Sequence, residues 1–241
     1  MTESGITGDA AEPELFSVTS SQRVFDGAVT AVRIDDVVMP DGKTAKREVG
    51  EPDNAVAIVA LDWAGGAGAR ASDAASDPDP SVILIEQYRH PLGRRLWELP
   101  AGLMDVDGEG AQQTAARELV EETGYAAANW SVLVDVAPSP GFSEEIVRIF
   151  LATDLTRVGR PDPGDHEEAE LRVVLVPLST AVQAVLDGRI VNGMAVSGIL
   201  AAERTLHEGP VERTHIGDLP WASATGADIP GAPFLAGAED R

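Results

Sequence analysis

Between Gly102 and Tyr125 the chain reads GLMDVDGEGAQQTAARELVEETGY, and one basic and three acidic side chains crowd into a turn and a half near its end. At ~100° per residue, Arg117, Glu118, Glu121 and Glu122 cover an arc of about 140° on one helix face. Ala115, Ala116, Leu119 and Val120 fall on the opposite face, which reads as the buried side. Gly124 ends the helix as a left-handed cap does. The arrangement is costly. Glu118 and Glu122 are a like-charge i,i+4 pair, unfavourable by ~0.2–0.5 kcal/mol. Each carboxylate near a helix C-terminus also opposes the helix dipole by roughly 0.3–1 kcal/mol. Arg117 can neutralise Glu121 at i,i+4 or Glu109 two turns earlier, but not the whole set. A divalent cation can: glutamates at i and i+4 are neighbours, and Mg²⁺ binds one or two carboxylates together with waters and substrate phosphates.

A solvated acidic face is the ordinary meaning of such a charge run. The order of residues points elsewhere. The stretch resembles the Nudix box, G-x5-E-x7-R-E-U-x-E-E-x-G-U with U bulky and apolar. Glu109, Arg117, Glu118, Leu119, Glu121, Glu122, Gly124 and Tyr125 match it in type and mutual spacing. Gly102 and Glu109 are separated by six residues instead of five, an insertion that a loop accepts cheaply. The resemblance implies an α/β fold, a Nudix α/β/α sandwich with a mixed β-sheet, and hydrolysis of a nucleoside diphosphate linked to another moiety. It further implies metal ligation by Glu118 and Glu122, by Glu121 through water or a second metal, and by the backbone carbonyl of Ala101. The metal would be Mg²⁺, with Mn²⁺ as the substitute. Gly102, Glu109, Arg117 and Gly124 would be structural members of the motif.

Several elements must position this helix. Residues 1–12 read as a disordered tail. Residues 13–50 form a small N-terminal antiparallel β segment, with alternation in FSVTSSQRVFDG and AVTAVRIDDVVM and a turn at Pro40-Asp41-Gly42. The hydrolase domain is expected over 51–208. AVAIVALDW (55–63) and SVILIEQ (81–87) are apolar strands, and the Gly/Ala/Ser/Asp/Pro stretch between them reads as a floppy hairpin insertion over 64–80. Residues 96–100 lead into the box. Residues 130–136, 145–152 and 171–176 predict further strands, and 179–186 and about 193–207 predict helices. In the last helix Val196, Ile199, Leu200 and Leu206 share a face. The chain from 209 to 241 reads as an irregular tail.

The resemblance extends over roughly residues 20–208 and comes closest to the actinobacterial ADP-ribose pyrophosphatases. EQYRHPLGRRLWELPAGLMD (86–105), Pro140 sixteen residues beyond Gly124, R-E-V-x-E before the first strong strand, and DGRIVNGMAVSGILA carry it. The implied substrate is ADP-ribose, cleaved to AMP and ribose 5-phosphate. The alternatives are another nucleotide sugar of the GDP-mannose type, or a sensor that binds ADP-ribose without cleaving it. Arg89 is the candidate phosphate contact, because a planar guanidinium grips phosphate oxygens with two donors. Arg94 and Arg95 read as surface charges and Trp97 as core. Arg47 is a candidate for the adenine or ribose across a dimer. Glu145 in SPGFSEE matches the general base of the branch that this chain most resembles, with Glu168 in GDHEEAE as the reserve.

Lys and Arg number 18 against 40 Asp and Glu, a net charge of −22. That argues against nucleic acid and anionic membranes as partners, since both reward a basic surface. With no cysteine, thiolate metal sites, disulfides and cysteine nucleophiles are excluded. No apolar run reaches ~18–20 residues and no basic-apolar leader is visible, so the expectation is a cytoplasmic enzyme. The N-terminal β segment is too small to stand alone, so a homodimer that exchanges it is expected.

Overall fold

The computed structural model describes residues 15–63, 79–161 and 171–209. The expected 1–12 tail, most of the 64–80 insertion, Glu168 with its acidic neighbours, and all but the start of the 209–241 tail lie outside the described residues. Chain contacts divide the molecule into two compact units. The described residues of one are 15–54 and 139–146; those of the other are 55–138 and 147–209, apart from the segments just named.

The larger unit is built on β4 (Ala55–Asp62), whose sequence AVAIVALD is apolar without alternation. Such a run is what a strand buried on both faces requires. Ala57, Val59 and Leu61 join one apolar cluster, and Val56, Ile58 and Ala60 join the other. The sheet runs in the order β10 (Arg172–Pro177), β5 (Ser81–Arg89), β4, β9 (Val147–Arg157), β8 (Tyr125–Val136), with β6 (Arg94–Glu98) on β5 and β7 (Ala101–Leu103) on β4. The β4–β9 pair is parallel and the others are antiparallel, so the sheet is mixed. Helix α1 (Ala111–Thr123) covers one face through Ala111, Ala115 and Leu119. Helices α2 (Leu178–Leu186) and α3 (Gly193–Glu208) cover the other. This is the α/β/α sandwich expected from the sequence.

Two details differ from expectation. Strands β8 and β9 extend beyond the apolar segments, because Tyr125 already pairs with Arg157 directly after the helix cap. The buried face of α3 consists of Ala195, Gly198, Ile199 and Ala202, while Leu200 is exposed. The reason is close approach. A Cβ on Gly198 would stand 2.7 Å from Leu99, 2.9 Å from Val59 and 3.2 Å from Ile149, so small residues rather than leucines face the sheet.

One buried ion pair ties β8 to β9. Arg148, 1% exposed, lies opposite Asp135 in the register, and its Nε and Nη2 donate to the two carboxylate oxygens at 2.8 and 3.2 Å. Burial of both partners is tolerable because the pairing is bidentate.

The smaller unit is a three-stranded antiparallel sheet of β1 (Ser17–Asp26), β2 (Thr30–Val38) and β3 (Thr44–Pro52). It carries the 139–146 segment through Gly50, whose N–H donates to Phe142 O at 2.8 Å and whose carbonyl accepts from Glu144 N–H at 3.2 Å. No helix among the described residues is long and apolar enough to cross a membrane.

Candidate active site

The box helix starts where side chains can bond back to the backbone. Gln113 Oε1 accepts the Gly110 N–H at 2.8 Å, one half of a capping box. The longer loop before it closes as a turn, with Glu109 N–H donating to Val106 O at 3.1 Å and Gly108 at φ +81°. The extra residue is absorbed there and leaves the helix register intact. At the other end Gly124 is left-handed, φ 76° and ψ 22°, and its N–H donates to Val120 O. Arg160 Nε donates to Glu121 O at 3.1 Å, placing a cation at the helix C-terminus, where the dipole favours one.

Arg117 is the hub of the acidic face. Its Nε and Nη2 contact Glu109 at 3.1–3.3 Å, and its Nη1 donates to Glu118 at 2.7 Å and to Glu121 at 2.9 Å. Hydrogen bonding to Arg117 holds the Glu109 carboxyl below the usual range, and Glu109 in turn raises the guanidinium above its own. Both groups stay charged throughout the working pH range.

Glu118 and Glu122 do not face solvent as their arc in the sequence implies. They are 9% and 5% exposed, against β7, whereas Ala116 and Val120 are only half-buried. The short strand makes this possible. Glu122 Oε2 accepts the Ala101 N–H at 2.9 Å. The Glu118 carboxylate lies where a side chain on residue 102 would be, 2.1 Å from the position of a Cβ on Gly102. A glycine at 102 is therefore the condition for Glu118 to lie on this strand.

The Glu118 and Glu122 carboxylate oxygens suit a hard divalent cation by their chemistry. Among the described residues no three acidic or histidine side chains converge on one point. Mg²⁺ does not require such a cage, since it keeps several waters and takes one or two carboxylates.

Arg89, at the end of β5, is held by a bidentate pair with Glu98 of β6, Nε at 2.9 Å and Nη2 at 2.7 Å. Glu98 is 3% exposed. Its role is not apparent in the sequence; the clue is that β5 and β6 pair antiparallel, Ile85 opposite Glu98, which folds WELP back beside QYR. Arg160 likewise carries no sequence signal. Arg94 and Arg95 are exposed, and Trp97 packs against the core beneath the Arg172 guanidinium, 5.5 Å from its centroid.

Arg47 and Glu145 belong to the smaller unit. Arg47 is exposed on β3, with Nη1 donating to Lys46 O at 2.9 Å, and forms no ion pair among the described residues. Glu145 is half-buried, and burial pushes its carboxyl above the usual range.

A mixed sheet between helices, with a carboxylate-bearing helix closed on a short glycine-containing strand, is the Nudix architecture. The chain belongs to the NUDIX family, whose domain model matches residues 69–192. It is 48% identical over 186 residues to an ADP-ribose pyrophosphatase of Mycobacterium tuberculosis, covering 77% of this chain and 82% of that protein. It is 34% identical over 166 residues to an ADP-ribose pyrophosphatase of Bacillus subtilis, covering 69% of this chain and 80% of that one. In fold it matches a crystal structure of an ADP compounds hydrolase, with TM-score 0.64 and 20% identity, covering 85% of this chain and all of that one.

The two motif glycines should respond differently to a methyl group. At Gly124 a Cβ meets backbone, 2.7 Å from Arg160 N and 2.9 Å from Gly159 C, at a φ that L residues resist. Gly124→Ala is expected to cost about 1–3 kcal/mol of unfolding free energy. Gly102→Ala meets only the Glu118 side chain, which must leave its place on β7, and should cost less stability than Gly124→Ala. Urea denaturation of both variants tests the contrast, and equal losses would contradict it.

Proposed function

We propose that this protein hydrolyses the pyrophosphate of ADP-ribose, giving AMP and ribose 5-phosphate with Mg²⁺ as cofactor. The convergence of Glu118 and Glu122 on β7 carries the reading of the site, because it gathers two carboxylates of one helix face beside the same short strand, the oxygen donor type a hard cation takes. The 48% identity to a mycobacterial ADP-ribose pyrophosphatase supports the substrate.

Glu118, Glu122, the Ala101 carbonyl and Glu121 would hold the cation. When bound, it neutralises phosphate charge and acidifies water. The chain's own side chains supply the rest. Arg89, oriented by Glu98, binds phosphate oxygens. Glu145 takes a proton from the attacking water as the new P–O bond forms and the anhydride P–O bond breaks. Arg47 contacts the adenosine end. Gly102, Glu109, Arg117 and Gly124 keep the glutamates in place. Hydrolysis of a panel comprising ADP-ribose, ADP-glucose, GDP-mannose and NAD, with Mg²⁺ and then with EDTA, checks this. ADP-ribose should be preferred and the activity lost in EDTA. Glu122→Gln should lower kcat by at least ~10²-fold in a folded protein. Preference for GDP-mannose would overturn the substrate, and wild-type turnover by Glu122→Gln would overturn the site.

The raised Glu145 carboxyl has a definite sign. A base must be ionised, so its contribution is present above its pKa and lost below it. The acid limb of kcat should lie above the ordinary glutamate value of ~4.3 and disappear in Glu145→Gln. A limb unchanged in that variant would remove Glu145 from the role.

The homodimer reading is supported by β1, which is exposed along its entire length and carries Val18, Val24 and Phe25. Such an edge invites pairing with another chain. Light scattering at micromolar concentration should give twice the 25.3 kDa chain mass; a monomer would refute the exchange.

A further inference from the structure

The Glu145 carboxylate makes no hydrogen bond or ion pair of its own among the described residues. What the structure fixes is the backbone from which it projects, and that backbone is fastened on both sides. Ile146 N–H donates to Asn54 Oδ1 at 3.0 Å, and Glu145 N–H donates to Ser143 Oγ at 3.1 Å. On the other side Glu144 is bonded to Gly50 through its N–H, and through its carboxylate to a guanidinium on β2. That guanidinium belongs to Arg33. It donates to Glu144 at 2.8 Å and to Glu51 at 3.0 Å from the same Nη1, and to Asp35 at 3.0 Å from Nε. Glu51 is also gripped by Arg23 of β1 at 3.2 Å. Burial alone would lower the Arg33 pKa; its bonds to Glu144, Asp35 and Glu51 outweigh that and raise it. Asp35 and Glu51 anchor Arg33 to β2 and β3, and Arg33 anchors the residue next to Glu145.

We propose that Arg33 is a positioning residue for Glu145: by clamping Glu144 to the three-stranded sheet it fixes the backbone direction from which the Glu145 carboxylate projects. This rests on Glu145 being the general base. The clamp explains why three strands otherwise remote in sequence from the box belong to the enzyme. Misplacing a catalytic group by about 1 Å can cost up to ~10²-fold in rate, so the clamp matters for turnover more than for binding.

A double-mutant cycle on kcat and KM for ADP-ribose tests the proposal, using Arg33→Met, Glu145→Gln and the double variant. Arg33→Met should lower kcat by about 10–100-fold with KM within about twofold. Glu145→Gln should lower kcat by at least ~10²-fold. The double variant should turn over no more slowly than Glu145→Gln alone, since a positioning residue has nothing left to position. Losses that multiply in the double variant would show Arg33 acting independently and overturn the proposal. Wild-type kcat in Glu145→Gln would instead overturn the base assignment beneath it. If Arg33→Met does not fold, Glu144→Gln cuts the same link while leaving Arg33 on Asp35 and Glu51, and the same cycle applies; unchanged kcat in that variant would overturn the proposal.

Discussion

Crowding Glu118, Glu121 and Glu122 into five residues of helix is unfavourable until something positive stands among them, and in this protein that is the Arg117 guanidinium. It reaches Glu109, Glu118 and Glu121 at once. A lysine could not replace it, because a single ammonium lacks the planar fork that serves three carboxylates in different directions. The consequences spread outward. Glu109 fastens the loop between β7 and α1 to the helix. Glu118 is turned toward the strand, where Gly102 leaves room for it. Glu122 takes the Ala101 N–H. Helix and strand are thus joined through acidic groups that would elsewhere repel one another.

The sheet repeats this economy of position. β4 is buried on both faces, so its residues divide between two cores, and the helices on either side approach closely only where small residues allow it. Gly198 on α3 and the alanines of α1 serve that purpose on opposite faces. Small residues on both helices let the sandwich close without a large aromatic core.

Much of this was legible in the sequence. The spacing of Arg117, Glu118, Glu121 and Glu122 showed a charged face, and the left-handed cap at Gly124 and the strands at 55–62 and 81–89 fall where periodicity and glycine chemistry put them. What remained hidden depends on partners distant in sequence. Helical periodicity cannot say that Glu118 and Glu122 are buried, because their cover comes from β7. It groups Leu200 with Ile199 on one face of α3, whereas Leu200 is exposed, because apolarity is visible in a sequence and close approach to a sheet is not. Glu98, Arg160 and Arg33 gave no local signal, since each acts through a residue on another strand or loop.

The parallel pairing of β4 with β9 brings together Ala55 and Val147, which stand almost a hundred residues apart in the chain. Contacts of such long range form slowly, because loop closure must precede them. At a synthesis rate of ~5–20 residues per second, β4 leaves the ribosome roughly 5–20 s before its parallel neighbour exists. For that interval the edge of AVAIVALD that β9 will take has no partner, on a segment uncharged up to its final aspartate, a composition that self-associates readily. The strand that centres the finished sheet is thus an aggregation hazard of the nascent chain, and the strongly acidic character of the whole polypeptide helps to keep neighbouring copies apart while it waits.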